Sequence, residues 1–208
     1  MRVNLKNIPV RYINLLQDKD KNVKMRNLLD GYQNVVRIDA KYIEENKVLA
    51  LSMSQKIAIE SLNTPGFILE DDCEKLYYRE EIEVPDDADI VFLGIWKPER
   101  PAFNIGNIIP SYEIVNEDLV RVYNMTGSHA IMYVSDKGKE LATAAYDIAI
   151  RTELWNDVVL NRILPFINAY ALRKPIFYQT SMEKETRIEY SSECPSFYTD
   201  FVTNPDDL

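Results

Sequence analysis

The chain has 208 residues, 46% of them hydrophobic and 11% aromatic, which is ample for a buried core and excludes a disordered class. A formal charge of −9 argues against nucleic acid or an anionic membrane surface as a broad electrostatic partner. No stretch approaches about 18 consecutive apolar residues, Met1 to Pro9 lacks the run of a signal peptide, and Cys73 and Cys194 make neither a disulfide framework nor a zinc spacing. The expectation is a protein with no integral membrane segment, working in the cytoplasm, or in a host cytoplasm if the source is viral.

Val10 to Leu16 reads as a first strand, rich in β-branched and aromatic residues. Asp18 is a good N-cap for a helix carrying Val23, Met25, Leu28 and Leu29, and Gly31 suits its stop. Asn34 to Asp39 reads as a second strand, so the first three elements form a βαβ unit and imply a parallel sheet. A second helix is expected over Ser52 to Leu62, ended by the turn chemistry of Asn63-Thr64-Pro65-Gly66.

Gly66 to Leu69 then suits a buried strand that runs straight into Glu70, Asp71 and Asp72. Three adjacent anions repel, so the cluster makes sense if something positive sits there. Hard oxygen ligands at a strand tip suit Mg²⁺ or Mn²⁺, above all where phosphates complete the shell. The carboxyl ends of strands are also where open α/β sheets bind ligands. The alternative is a solvated acidic turn.

Ala88 to Trp96 is a near-continuous apolar run, as in a central strand. Lys97 to Pro110, with three prolines and a glycine, reads as an ordered loop or lid. Ser111 to Asn124 reads as a hairpin around Asn116-Glu117-Asp118. Thr126 to Val134 returns to strand, and Ser135 caps a helix from Asp136 to about Ile148. Glu153 to Leu164 reads as a shorter helix carrying Trp155 and Asp157. Ile176 to Gln179 reads as a last strand, and residues from Ser181 onward as a tail. This gives one α/β domain over 1–180 and a C-terminal tail over 181–208 packing on it.

The order of these pieces resembles glycosyltransferase family 25, which groups lipooligosaccharide galactosyltransferases with collagen galactosyltransferase-like proteins. The resemblance is carried by Ile13-Asn14-Leu15, Ala50-Leu51-Ser52, Leu69-Glu70-Asp71-Asp72 and Asp89 to Gly94. Thr126 to Ala130 with Tyr133-Val134-Ser135, Asp157, and Pro175 to Gln179 continue it. It spans roughly residues 10 to 180. Two positions depart from the family: Leu16-Gln17-Asp18-Lys19 stands where it has Asp-Arg, and Met53 stands where it has a histidine.

The resemblance implies a GT-A-like, Rossmann-like fold with a mostly parallel central sheet flanked by helices and a hairpin insertion. It also implies a UDP-sugar donor, Mn²⁺ (or Mg²⁺) as cofactor, and a glycan or protein acceptor. Asp72 is the expected direct metal contact, with Glu70 and His129 beside it; Glu70 or Asp71 would hold the ribose or a metal-bound water. Asn14, Leu15, Ser52 and Asp71 would meet the donor. Asn14 reads equally as a strand-end hydrogen bond, and Ser52 as the N-cap of its helix. His129, the only histidine, reads equally as structural.

Inverting transfer needs a general base. Asp157 is the candidate, with Trp155 stacking on a sugar; the alternative is a surface carboxylate and a core indole. Cys73, flanked by carboxylates, reads as a packed side chain rather than a nucleophile. The resulting expectation is a galactosyl-type hexosyltransferase. The second reading, favoured by the two departures, is a degenerate domain that holds a nucleotide-sugar or glycan without turnover.

Overall fold

The computed structural model describes residues 1–96 and 111–180. Their elements in chain order are β1 (Arg2–Asn4), β2 (Val10–Asn14), α1 (Lys19–Leu28), β3 (Val35–Asp39), α2 (Lys47–Glu60), β4 (Gly66–Glu70), β5 (Cys73–Lys75), β6 (Glu81–Glu83) and β7 (Ile90–Trp96). Then follow β8 (Ser111–Ile114), β9 (Leu119–Asn124), β10 (Thr126–Tyr133), α3 (Asp136–Thr152), α4 (Asn156–Asn161), a 3-10 turn over Leu164–Phe166, β11 (Ala169–Leu172) and β12 (Phe177–Gln179). The loop expected at 97–110 and the tail expected at 181–208 lie outside the described residues.

Eight strands form the main sheet in the order β3-β2-β4-β10-β7-β11-β9-β8, with β1–β6 and β5–β12 as two-stranded ribbons. The expected βαβ unit is present: β2 lies between β3 and β4, parallel to both. The expectation of a mostly parallel sheet is corrected. β10 runs antiparallel to both β4 and β7, and β9 antiparallel to both β8 and β11, so the sheet is mixed. The hairpin falls where expected, as β8–β9, and forms the edge beyond β11.

Side chains alternate across the strands and so feed two cores. Ile68, Ile90, Phe92, Ile131 and Tyr133 face α2, α3 and α4, packing on Ala58, Ile59, Ala142, Ala145 and Tyr146. Phe67, Leu69, Val91, Leu93, Ala130 and Met132 face the other way, onto Met25 and Leu29 of α1 and onto the ribbons through Val3, Ile82 and Phe177. Strands covered on both faces are apolar at every position, which is why β4 and β7 read as continuous runs.

Helix ends show where local signals hold. Ser135 caps α3, accepting at Oγ from the Gly138 amide at 3.0 Å. Asp18 stands at the N-cap of α1 but makes no side-chain cap. The start expected for α2 is corrected: Asn46 is its cap, accepting from the Leu49 amide at 2.9 Å, so Ser52 lies in mid-helix. The helix expected over 153–164 is also shorter, because Glu153 takes a left-handed conformation and separates α3 from α4. Among the described residues no helix is long and apolar enough to cross a membrane.

Candidate functional site

β4 and β2 run side by side with Ile13 paired to Glu70, so Asn14 and the acidic turn emerge together at one sheet end. The Asn14 amide nitrogen donates to Asp71 Oδ2 at 2.8 Å and to the Asp18 carbonyl at 3.2 Å. Both partners are acceptors, which fixes the amide's orientation; its Oδ1 is buried without a partner among the described residues. Lys21, in the first turn of α1, donates to Asp71 Oδ1 at 3.0 Å. Burial lowers the Lys21 ammonium, but the bond to Asp71 and the charges of Asp71, Asp72 and Asp18 together outweigh it and the net shift is upward. Asp71 therefore ties the acidic turn to β2 and α1, beside an open pocket lined by Gln17 to Lys21. Leu15 contributes a half-buried side chain and a carbonyl that accepts from the Asp18 amide.

The Glu70 carboxylate sits in a polar frame that reading the sequence did not assign. Its Oε1 accepts from Gln55 of α2 at 2.9 Å and from Ser128 Oγ of β10 at 3.2 Å. Ser128 Oγ in turn accepts from Asn156 of α4 at 3.2 Å. Gln179, at the end of β12, reaches from Asp72 Oδ2 at 3.0 Å to Glu70 Oε2 at 3.5 Å. The next residue, Thr180, holds the Asp72 carbonyl through both its amide and its hydroxyl, each at 2.8 Å. Asp72 Oδ1 is left buried and unpartnered among the described residues. Gln55 lies three residues from Ser52 on the same face of α2, which is the one signal that could have found it.

The pairing of β10 shifts register between Thr126 and Ala130, an irregularity of the kind that re-aims side chains. At this shift Gly127 takes φ +106°, and its amide donates to Asp157 Oδ2 at 3.2 Å. Asp157 Oδ1 accepts from the Val158 amide at 2.9 Å. His129 is 2% exposed, and neither ring nitrogen completes a hydrogen bond among the described residues. The ring lies close over Gly94, where an added Cβ would meet Nε2 at 2.5 Å.

Electrostatics follow from this crowding. Glu70 keeps some surface open, yet desolvation and then the Asp72 charge push its carboxyl up to about 8, against the bonds from Ser128 and Gln55. Burial brings His129 down to about 4, although Asp72 and the Phe177 carbonyl favour its proton, so the imidazole is neutral at pH 7. Burial also raises Asp157. Cys73 is the packed side chain expected: its thiol donates to the His129 carbonyl at 3.1 Å, and burial pushes its pKa well up.

Glu70, Asp72, His129 and Asp157 thus share one neighbourhood, in which the Asp72 charge acts on Glu70 and His129 and the Asp157 charge on Glu70. Ser52 does not join them. It is fully buried and its hydroxyl donates to the Val48 carbonyl at 3.0 Å, leaving no exposed atom for a donor. Trp155 is 42% exposed just before α4, so it is not a core indole. Among the described residues no three His, Cys, Asp or Glu side chains form a group able to hold a metal by themselves. The buried, unpartnered Asp72 Oδ1 and the buried His129 fit a cation only if a bound ligand supplies further oxygens.

No family model and no curated protein matches the chain. Seven chains of solved structures match. One is a CTP:phosphocholine cytidylyltransferase from Streptococcus pneumoniae, with a TM-score of 0.41 and 12% identity over 92% of this chain and 78% of that one. A likeness of that degree carries no argument about activity.

Proposed function

We propose that the chain is a transferase that takes a sugar, galactose or a close relative, from a UDP-sugar to a hydroxyl of a glycan or protein, with inversion. The carrying observation is the convergence of Glu70 and Asp72, at and just past the end of β4, beside a neutral His129 within β10, with Asp72 Oδ1 buried and without a partner among the described residues. A protein that crowds carboxylates until one holds its proton to about 8 gains from a cation there. A bound Mn²⁺ or Mg²⁺ would neutralise the departing diphosphate. Asp72 would hold it, with His129 as a second contact and donor oxygens completing the shell. Gln55, Ser128 and Gln179 orient the carboxylates, and Asn14 and Asp71 shape the rim toward the nucleotide.

Asp157 would accept the acceptor hydroxyl's proton. Its raised pKa suits a base, and the Gly127 and Val158 amides fix its orientation. Trp155, exposed two residues earlier, would offer its ring to the acceptor sugar. The second reading, binding without turnover, is favoured by one observation: no three-ligand metal group forms among the described residues.

A thermal-shift titration with UDP and UDP-galactose, with and without Mn²⁺, tests the proposal, because a ligand selective for the folded state raises the melting point. The expected result is a manganese-dependent rise that Asp72→Ala removes while its own fold stays intact. No rise with any uridine nucleotide overturns both readings. A rise without release of UDP in the presence of acceptor glycans supports binding alone.

A further inference from the structure

A second cluster lies along β5, away from the acidic turn. Cys73 pairs with Gln179 at the site, but Lys75 pairs with Phe177 further along the ribbon. The Lys75 ammonium stands 5.0 Å from the centre of the Tyr32 ring and 5.5 Å from that of Tyr78. It makes no hydrogen bond or ion pair among the described residues, although the side chain is only half-exposed. Burial and then the nearby Lys6 charge lower the Lys75 pKa, and the Glu80 charge opposes them. Lys6 itself is matched by Glu80 at 2.6 Å and stands 5.9 Å from the Tyr78 ring centre. Tyr78 is 72% exposed, a large open aromatic surface on an otherwise acidic protein.

We propose that Tyr32, Lys75 and Tyr78 form a binding site for an acidic sugar, a phosphorylated or carboxylated monosaccharide unit, independent of the transfer site. An ammonium has three donors and no acceptor capacity. The Glu80 carboxylate, paired with Lys6 and bonded by the Tyr78 hydroxyl, acts on the Lys75 ammonium only through space, so Lys6, Lys75 and Glu80 together keep one positive charge. The rings hold that charge in place through their negative faces. The Tyr78 hydroxyl donates to Glu80 and accepts from Lys6, which holds the exposed ring where it can cover the C–H face of a pyranose while Lys75 meets its phosphate or carboxylate. A neutral sugar would leave Lys75 unmatched, and a bare anion would leave the Tyr78 face uncovered, so the site selects for both features together.

The test is an NMR titration of the full chain with glucose 6-phosphate, glucuronate, glucose and inorganic phosphate, following the side-chain resonances of Tyr32, Lys75 and Tyr78. Glucose 6-phosphate and glucuronate should shift these resonances and bind at least ten-fold more tightly than either glucose or phosphate. Lys75→Met keeps the aliphatic stem against the rings and should lose binding ten-fold or more, as should Tyr78→Ala, whose exposed position spares the fold. Absence of shifts at these residues, or unchanged affinity in both variants, overturns the site. Equal affinity for inorganic phosphate overturns the sugar assignment.

Discussion

Glu70 makes the candidate site visible to pH. Its carboxyl sits at about 8 in the folded chain against an ordinary 4.5. Between those values the folded state therefore holds more protons than the unfolded one, and stability falls as pH rises. His129 acts in the opposite sense. Its pKa of about 4 against 6.5 means the folded state holds fewer protons in that window, so stability falls as pH drops through it. The two oppose each other from 4.5 to 6.5, and from 6.5 to 8 Glu70 acts alone. One proton is worth about 1.4 kcal/mol per pH unit, so stability should decline by up to about 2 kcal/mol across that upper window. Urea unfolding at pH 6.5 and 8 checks this, and Glu70→Gln should flatten the difference. The acidic triplet was legible in the sequence as an electrostatic anomaly. Its frame was not, because Gln55, Ser128 and Gln179 reach Glu70 across separations of 15, 58 and 109 residues.

At the scale of elements, β7 meets both the site and the β5–β12 ribbon at Gly94. A Cβ there would collide with the Phe177 carbonyl and stand 2.5 Å from His129 Nε2, the close approach that a glycine inside a strand commonly marks. Gly94→Ala should cost about 1 to 3 kcal/mol, the usual range for overpacking, and should displace His129. Chemical denaturation reads the first effect and the His129 ring resonances the second. Gly138 plays the same part at the start of α3, where a Cβ would strike the Asp89 carbonyl. The Asp89 carboxylate ties that corner, accepting from Ser135 at 2.6 Å, Lys137 at 3.0 Å and the Asn168 amide at 2.9 Å. Ser135 was recognisable as a cap because a hydroxyl beside a helix start is a local signal. Its bond to Asp89 joins segments 46 residues apart and has no local trace.

Across the whole molecule, the mixed sheet is held between two cores, and a buried pair of tyrosines links the sheet to the helix layer away from the carboxylates. The hydroxyls of Tyr133 on β10 and Tyr146 on α3 meet at 2.9 Å, both rings fully buried. Tyr146→Phe should leave the Tyr133 hydroxyl unsatisfied and cost about 1 to 3 kcal/mol. Replacing both by Phe should recover much of that loss, and a double-mutant cycle of unfolding free energies measures the coupling. The sequence by itself determined which stretches are strands buried on both faces, where the first βαβ unit and the hairpin lie, and that anions crowd the tip of β4. Those features are local: they come from the composition of short runs, from turn residues and from repulsion between neighbours. Tertiary structure alone decided that β10 enters antiparallel between β4 and β7, and that β11 completes the sheet. It also decided that Ser52 is spent inside α2 while Gln55 and Gln179 hold the carboxylates. Strand direction and long-range hydrogen bonding depend on which surfaces meet after the chain collapses, and no periodicity within one segment records them.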